Sequence, residues 1–124
     1  MKVLILDDEI DRVNSLRLRL PNDQVTHAST VGEFIEMVGQ NKYDLIMLDH
    51  DLGYNQQTGV DAAKFLANNQ DNFNDQEVVI HSCNLVGVAN MLSHLKHCTQ
   101  FRVYTIHFAW NNISREGDSF QFRT

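Results

Sequence analysis

Cysteine is scarce. The 124 residues hold two, Cys83 and Cys98, too few to staple a secreted fold and without the C-x-x-C spacing of a metal site. Free thiols in a reducing cytosol are the expectation. Proline is scarcer still, with Pro21 alone. No apolar run approaches the roughly 20 residues of a membrane span. The apolar stretch Val3 to Leu6 is cut short by Asp7, Asp8 and Glu9, unlike a secretory signal. A membrane partner is therefore not expected, and a cytoplasmic location is. Basic charge is also short, with 10 Lys+Arg against 16 Asp+Glu, a balance of −6 with neutral histidines. Such a chain lacks the basic footprint that coating duplex DNA requires. Repeats, low-complexity tracts and linkers are absent, so residues 1–124 read as a single domain. With 43% hydrophobic and 21% charged residues, that domain is globular rather than disordered. What is plentiful is the pairing of six histidines with eleven aspartates.

The apolar pattern changes period along the chain. Val3 to Leu6 is a short apolar run ending in acids, the form of a strand buried on both faces. Ile10, Val13, Leu16 and Leu20 then recur at helical spacing until Pro21 stops the segment. Val25 to Ala28 is a weaker strand. Thr30 to Glu33 has the form of a capping box, opening a helix that runs to about Asn41. Tyr43 to Leu48 predicts a third strand, again ending in acids. Thr58 can cap a helix bearing Val60, Ala63, Phe65 and Leu66. A fourth strand spans Val78 to Ser82, and a helix runs from Leu85 to Lys96 with Leu85, Val88, Ala89, Leu92 and Leu95 on its buried side. Arg102 to Ile106 makes a fifth strand, and Phe108 to Thr124 shows no helical period.

Alternating strands and helices imply a three-layer α/β sandwich, a five-stranded parallel sheet covered on both faces, with right-handed crossovers. Ligands bind outside the carboxyl ends of such strands. The polar residues collect there: Asp7 and Asp8, Asp49-His50-Asp51, His81-Ser82-Cys83-Asn84, and His107.

Over nearly its whole length the chain resembles the receiver domains of two-component signalling, a flavodoxin-like fold. Lys2-Val3-Leu4-Ile5-Leu6-Asp7-Asp8-Glu9 is similar to the receiver opening strand and its acidic pair. Tyr43 to Asp49 is similar to the strand that ends in the phospho-accepting aspartate. Ser82 stands where receivers keep Thr or Ser, and His107 stands in place of their lysine. The usual long fifth helix is expected to be short or absent. Leu48-Asp49-His50-Asp51-Leu52-Gly53 with His81-Ser82-x-Asn84 resembles a divergent group, the cyclic-phosphate-processing receiver-like domains. That resemblance implies action on a cyclic phosphate ester.

Three carboxylates at adjacent strand ends repel one another unless a cation or shared protons neutralise them. Oxygen ligands with open positions suit Mg²⁺ or Mn²⁺. The resemblance implies Asp8 and Asp49 as direct ligands, with Asp7 acting through water. The alternative is an acidic rim capping neighbouring helix N-termini. Negative surroundings favour protonated His50, a general acid for a departing alkoxide; as a metal ligand it must instead be neutral. It can also simply be hydrogen-bonded in its loop. His81 and His107 flank the same rim and could share acid and base work with His50, each step worth roughly 10²–10⁴-fold. Asp51 would orient a histidine or offer a carbonyl to the metal. Ser82 and Asn84 could hold phosphate oxygens, or serve only as a strand-end bond and a helix N-cap. Cys83 reads as a small buried cysteine rather than a nucleophile. His27 reads as structural, His94 and His97 as a solvated face, and Phe108 and Trp110 as core.

The expectation is a metal-dependent phosphoesterase whose substrate is a small cyclic phosphate ester or an RNA end. Its rivals are a stand-alone receiver phosphorylated on Asp49 and a non-catalytic phosphate-binding module.

Overall fold

A computed structural model of the chain describes residues 1–54, 56–106, 113–117 and 119–122. Strand β1 (Lys2–Leu6) leads to α1 (Ile10–Arg19), β2 (Gln24–Ala28), α2 (Val31–Gln40), β3 (Leu45–Leu48) and α3 (Gly59–Asn68). After a short 3₁₀ turn at Gln70–Asn72 come β4 (Gln76–His81), α4 (Leu85–Leu95) and β5 (Phe101–Ile106). The five strands form one parallel sheet in the order β2-β1-β3-β4-β5. The direction of winding reverses between β1 and β3, so a crevice opens there at the carboxyl edge.

Alternation along the strands feeds two cores. Leu4, Leu6, Ile46, Leu48, Val78 and Ile80 point to α2, α3 and α4, where Phe34, Leu66, Met91 and Leu95 meet them. Val3, Ile5, Leu45, Met47 and Val79 point the other way, onto Val13, Leu16 and Leu20 of α1 and its C-terminal end. Both faces of the central strands are buried, which is why those strands are continuous apolar runs. None of the helices among the described residues is long and apolar enough to cross a membrane.

The caps fix where the helices start. Thr58 and Asp61 form a reciprocal capping box at α3, with Thr58 N–H donating to Asp61 Oδ2 at 3.2 Å. At α2, Thr30 Oγ1 accepts from Glu33 N–H at 3.2 Å, and the Glu33 carboxylate reaches back to Ser29 N–H and to the Ser29 and Thr30 hydroxyls rather than to the Thr30 N–H. Asn84 Oδ1 caps α4 by accepting from Gly87 N–H at 2.9 Å.

One expectation needs correction. On α4 the buried residues are Gly87, Met91 and Leu95, whereas Leu85 is 81% exposed and Ala89 also faces solvent. The first turn of α4 rolls inward at Gly87, where the absence of a side chain permits close packing, and this turns Leu85 outward. In place of a fifth helix, the described residues after β5 form an antiparallel hairpin, β6 (Ile113–Glu116) and β7 (Ser119–Phe122). Buried Ile113 and Phe120 pack beside α1 in the second core, so the hairpin covers sheet surface there. Gly117, at φ +59°, supplies the left-handed residue that reverses the chain.

Candidate functional site

The carboxyl edge between β1 and β3 brings the three predicted metal-binding aspartates together. Asp7 N–H donates to Ala28 O and Asp49 N–H to Leu6 O, each at 3.0 Å, so the sheet's own bonding carries both residues into the crevice. Asp7 and Asp49 are buried and Asp8 is exposed. One carboxylate oxygen from each lies within 4.8 Å of the others. Such a set of hard oxygen donors fits a small divalent cation.

A fourth residue sits among them. Arg12, in the first turn of α1, donates from Nε to Asp7 Oδ2 at 2.9 Å. Its Nη2 lies 2.7 Å from Asp7 Oδ1, 3.3 Å from Asp8 Oδ1 and 3.1 Å from Asp49 Oδ2. Burial works against the guanidinium charge, but the Asp7 bond and the charges of Asp7, Asp49 and Glu9 leave its pKa raised. Asp49 is pushed up to about 7, first by burial and then by Asp7, with Arg12 and the His50 N–H pulling the other way. Asp7 is braced further by Glu9 N–H on Oδ1 at 2.8 Å and by His27 Nε2, 2.6 Å from its carbonyl oxygen. His27 is thus structural, as its position suggests.

The second cluster gathers around His50. Its Nδ1 is 2.8 Å from Asp51 Oδ1 and 3.3 Å from Asn84 Nδ2. With Asp51 ionised, Nδ1–H donates to the carboxylate and Nε2 carries the lone pair. The ring lies against Gly87: a Cβ there would stand 2.8 Å from Nε2 and closer still to Cγ and Cδ2. Gly59 plays a similar part for the backbone, donating its N–H to His50 O at 2.9 Å. A Cβ on Gly59 would come 2.9 Å from the Asp49 carbonyl carbon and 2.7 Å from Met91 Cε.

The remaining expected residues fall in different places. His81 is wholly buried, with Nδ1 3.9 Å from Asp7 Oδ2. Burial pushes its pKa down to about 4 against the pull of Asp7, so at neutral pH it is an uncharged ring behind Asp7. Ser82 is buried and its Oγ accepts from Asn84 N–H at 3.1 Å. Asn84 Oδ1 accepts from Gly87 N–H, so the helix-cap alternative describes that bond; its Nδ2 packs 3.3 Å from His50 Nδ1 without donating to it while Nδ1–H is turned to Asp51. Cys83 is exposed, contrary to expectation, because β4 ends at His81 and the turn throws this side chain outward; Cys98 is the buried thiol. His107, Phe108 and Trp110 lie outside the described residues. An open depression of about 260 Å³ lies over the acidic cluster, lined by Asp8, Glu9, Arg12, Asp49, Ser82 and Cys83, with Asp51 reaching it from the second cluster.

Sequence reading missed Arg12, Gly87 and Gly59. Arg12 left a faint signal: a basic residue in a helix's first turn opposes the helix dipole and needs acids to hold it, and Asp8 precedes it by four residues. The two glycines gave none, since only the fold brings His50 and Asp49 against them.

A β2-β1-β3-β4-β5 sheet with an acidic pair after β1 and an aspartate after β3 defines the receiver fold of response regulators. Solved structures bear this out. The receiver domain of a Francisella response regulator is similar at 24% identity and TM-score 0.61 over 82% of each chain. The N-terminal domain of a three-domain response regulator from Carboxydothermus hydrogenoformans is similar at 25% identity and TM-score 0.64, over 88% of this chain and 82% of that one. TrrA of Thermotoga maritima, solved in complex with Mg²⁺-BeF, is similar at 14% identity and TM-score 0.64, over 94% of this chain and 88% of that one. Residues 2–97 match the cyclic-phosphate processing receiver domain, and the chain belongs to that family. No curated protein matches it significantly.

Proposed function

We propose that the chain is a metal-dependent phosphoesterase that hydrolyses a cyclic phosphate on a nucleotide or an RNA end. The observation that carries this reading is His50. It is fixed between Asp51, Asn84 and Gly87, and it follows directly upon Asp49 of the acidic trio. A phosphoryl-accepting receiver has no need of a histidine held in this way; a hydrolase does.

Asp8 and Asp49 would hold Mg²⁺ or Mn²⁺, with Asp7 behind them. Bound there, the cation would lower the pKa of a water and offset charge on the phosphoryl oxygens. Asp51 orients His50, so that Nε2 would take a proton from water and return one to the departing alkoxide. Ring opening by water breaks one phosphorus–oxygen ester bond and leaves a phosphomonoester and a free hydroxyl. His81, buried and neutral, props Asp7 instead of exchanging protons with solvent, which moves the acid–base work toward His50. The Ser82 hydroxyl accepts from Asn84 N–H and keeps its own hydrogen to donate to a phosphate oxygen. The balance of −6 disfavours extended RNA contact and suits a mononucleotide or a terminus.

A receiver phosphorylated on Asp49 is the second reading, favoured by family membership and by Arg12, a cation 3.1 Å from Asp49 Oδ2 where a phosphoryl group would need one. One experiment separates them. The protein is incubated with Mg²⁺ or Mn²⁺ and a panel of cyclic phosphates, and in parallel with acetyl phosphate. Phosphomonoester release lost in His50→Ala supports the esterase. A phosphoryl adduct on Asp49 with no release from any cyclic phosphate overturns it.

A further inference from the structure

One nitrogen, Arg12 Nη2, stands within 3.3 Å of an oxygen from each of Asp7, Asp8 and Asp49. It occupies the middle of the donor set that would hold the divalent cation. Metal–oxygen bonds of roughly 2.0–2.1 Å leave no room for a guanidinium directed at the same oxygens. A charge of +1 at this range also opposes the entry of a +2 ion in a poorly solvated crevice. The two cations are therefore alternatives.

Arg12 lines the same open depression as Ser82 and Cys83. A phosphate group entering the depression would offer the guanidinium a new bidentate partner with the geometry it favours. We propose that Arg12 is the resident counter-ion of the acidic site, that a divalent cation binds only by displacing it, and that a phosphate ligand promotes this exchange by accepting the displaced guanidinium. Metal and phosphate then bind with positive cooperativity, and Arg12 is the coupling element. The inference rests on the metal-site reading above and adds a regulation to it. The site stays partly neutralised and closed to free metal until its phosphate ligand arrives.

The test measures Mn²⁺ binding by calorimetry and by the spin resonance of free Mn²⁺, with and without inorganic phosphate, on wild type, Arg12→Ala and Arg12→Gln. Protein-free titrations correct for Mn²⁺–phosphate complexes. Wild type should bind Mn²⁺ weakly alone, and phosphate should tighten the dissociation constant by roughly 5- to 150-fold, the usual span of such coupling. Both variants should bind Mn²⁺ more tightly than wild type without phosphate, and phosphate should no longer tighten it. They should melt lower than wild type without metal and recover with Mn²⁺. Should these variants not fold, Arg12→Lys, which keeps the charge but not the bidentate fork, takes their place, and phosphate tightening unchanged in it overturns the role of Arg12. Equal or weaker Mn²⁺ binding in folded variants overturns the role of Arg12 while leaving the metal site standing, as does wild-type binding indifferent to phosphate. No binding by wild type or by either variant overturns the metal site and this proposal together.

Discussion

Replacing Gly87 by alanine should separate the stability of the fold from the positioning of His50. In an ordinary helix interior the change gains about 1 kcal/mol. Here the new methyl would overlap the His50 ring, 2.8 Å from Nε2 and nearer to Cγ and Cδ2. Overpacking of this kind costs about 1–3 kcal/mol. The obstacle is a side chain only 14% exposed at the rim of the crevice, so it can swing out. The two effects nearly offset, and the net loss should be about 0–2 kcal/mol. The ring, however, must abandon Asp51 Oδ1 and Asn84 Nδ2, at 2.8 and 3.3 Å. A reacting group misplaced by about 1 Å loses roughly 10²-fold in rate. Thermal melting should therefore change modestly while cyclic-phosphate turnover falls about a hundredfold. The ring resonances of His50, read by carbon–proton NMR, should shift whether or not turnover is found. Unchanged resonances in Gly87→Ala would show that the ring does not rest on this helix and would refute the reasoning.

Three further outcomes follow from the same geometry. Without metal, Asp49 keeps a proton in the fold up to about pH 7 that the unfolded chain releases near its ordinary 3.8, so its contribution lowers stability as pH rises through that window. His81 has the opposite sign: the unfolded chain takes up a proton near 6.5 that the fold refuses down to about 4, so stability falls as pH drops, by up to about 3 kcal/mol. The slopes oppose each other between about pH 4 and 6.5, and chemical denaturation of the metal-free protein should uncover them separately. Asp49→Asn should leave stability rising with pH in that window and His81→Leu should leave it falling; two profiles parallel to wild type would disprove both assignments. Gly59→Ala should cost more than Gly87→Ala, about 3 kcal/mol in urea unfolding, because the Asp49 carbonyl is backbone and cannot swing aside. Phe120→Ala should lower the urea midpoint by the equivalent of about 3 kcal/mol if the hairpin closes the second core; a loss below about 1 kcal/mol would detach it from that core.

The parts of the fold legible in the sequence are those where one local rule decides. β1, β3 and β4 are short apolar runs because both their faces are covered, and each is followed by the polar residues of the site. Thr58 announces α3 because an N-cap bond is a contact between close neighbours in the chain; sequence reading missed Asp61, which completes the box. The hairpin was not legible in this way. Its strands are four residues each, and Ile113 and Phe120 count as core only once α1 and the sheet are there to receive them. On α4 the predicted stripe holds at Val88, Leu92 and Leu95 but not at Leu85 and Ala89, for a related reason. The inward position of the first turn belongs to Gly87, and a glycine adds nothing to an apolar stripe.

The candidate site divides along the same line. Strand ends place Asp7, Asp8, Asp49 and Asp51 where the chain pattern puts them, because a parallel sheet sends every β-to-α turn to one edge. What those residues do depends on groups that reach the edge from elsewhere. Three carboxylates in a crevice repel one another, and the sequence shows only that something must answer the repulsion. The structure answers it from within the chain, since Arg12 reaches all three from the helix that follows Asp8. The same comparison separates the histidines. His50 lies just past β3 and His81 ends the neighbouring β4, and composition cannot tell them apart. Burial can: a ring wholly enclosed behind Asp7 stays neutral and fixed, whereas the His50 ring is bonded to an exposed Asp51 and keeps some contact with solvent. On the phosphoesterase reading proposed above, the acid–base work would fall to His50, whose carboxylate partner Asp51 lines the depression.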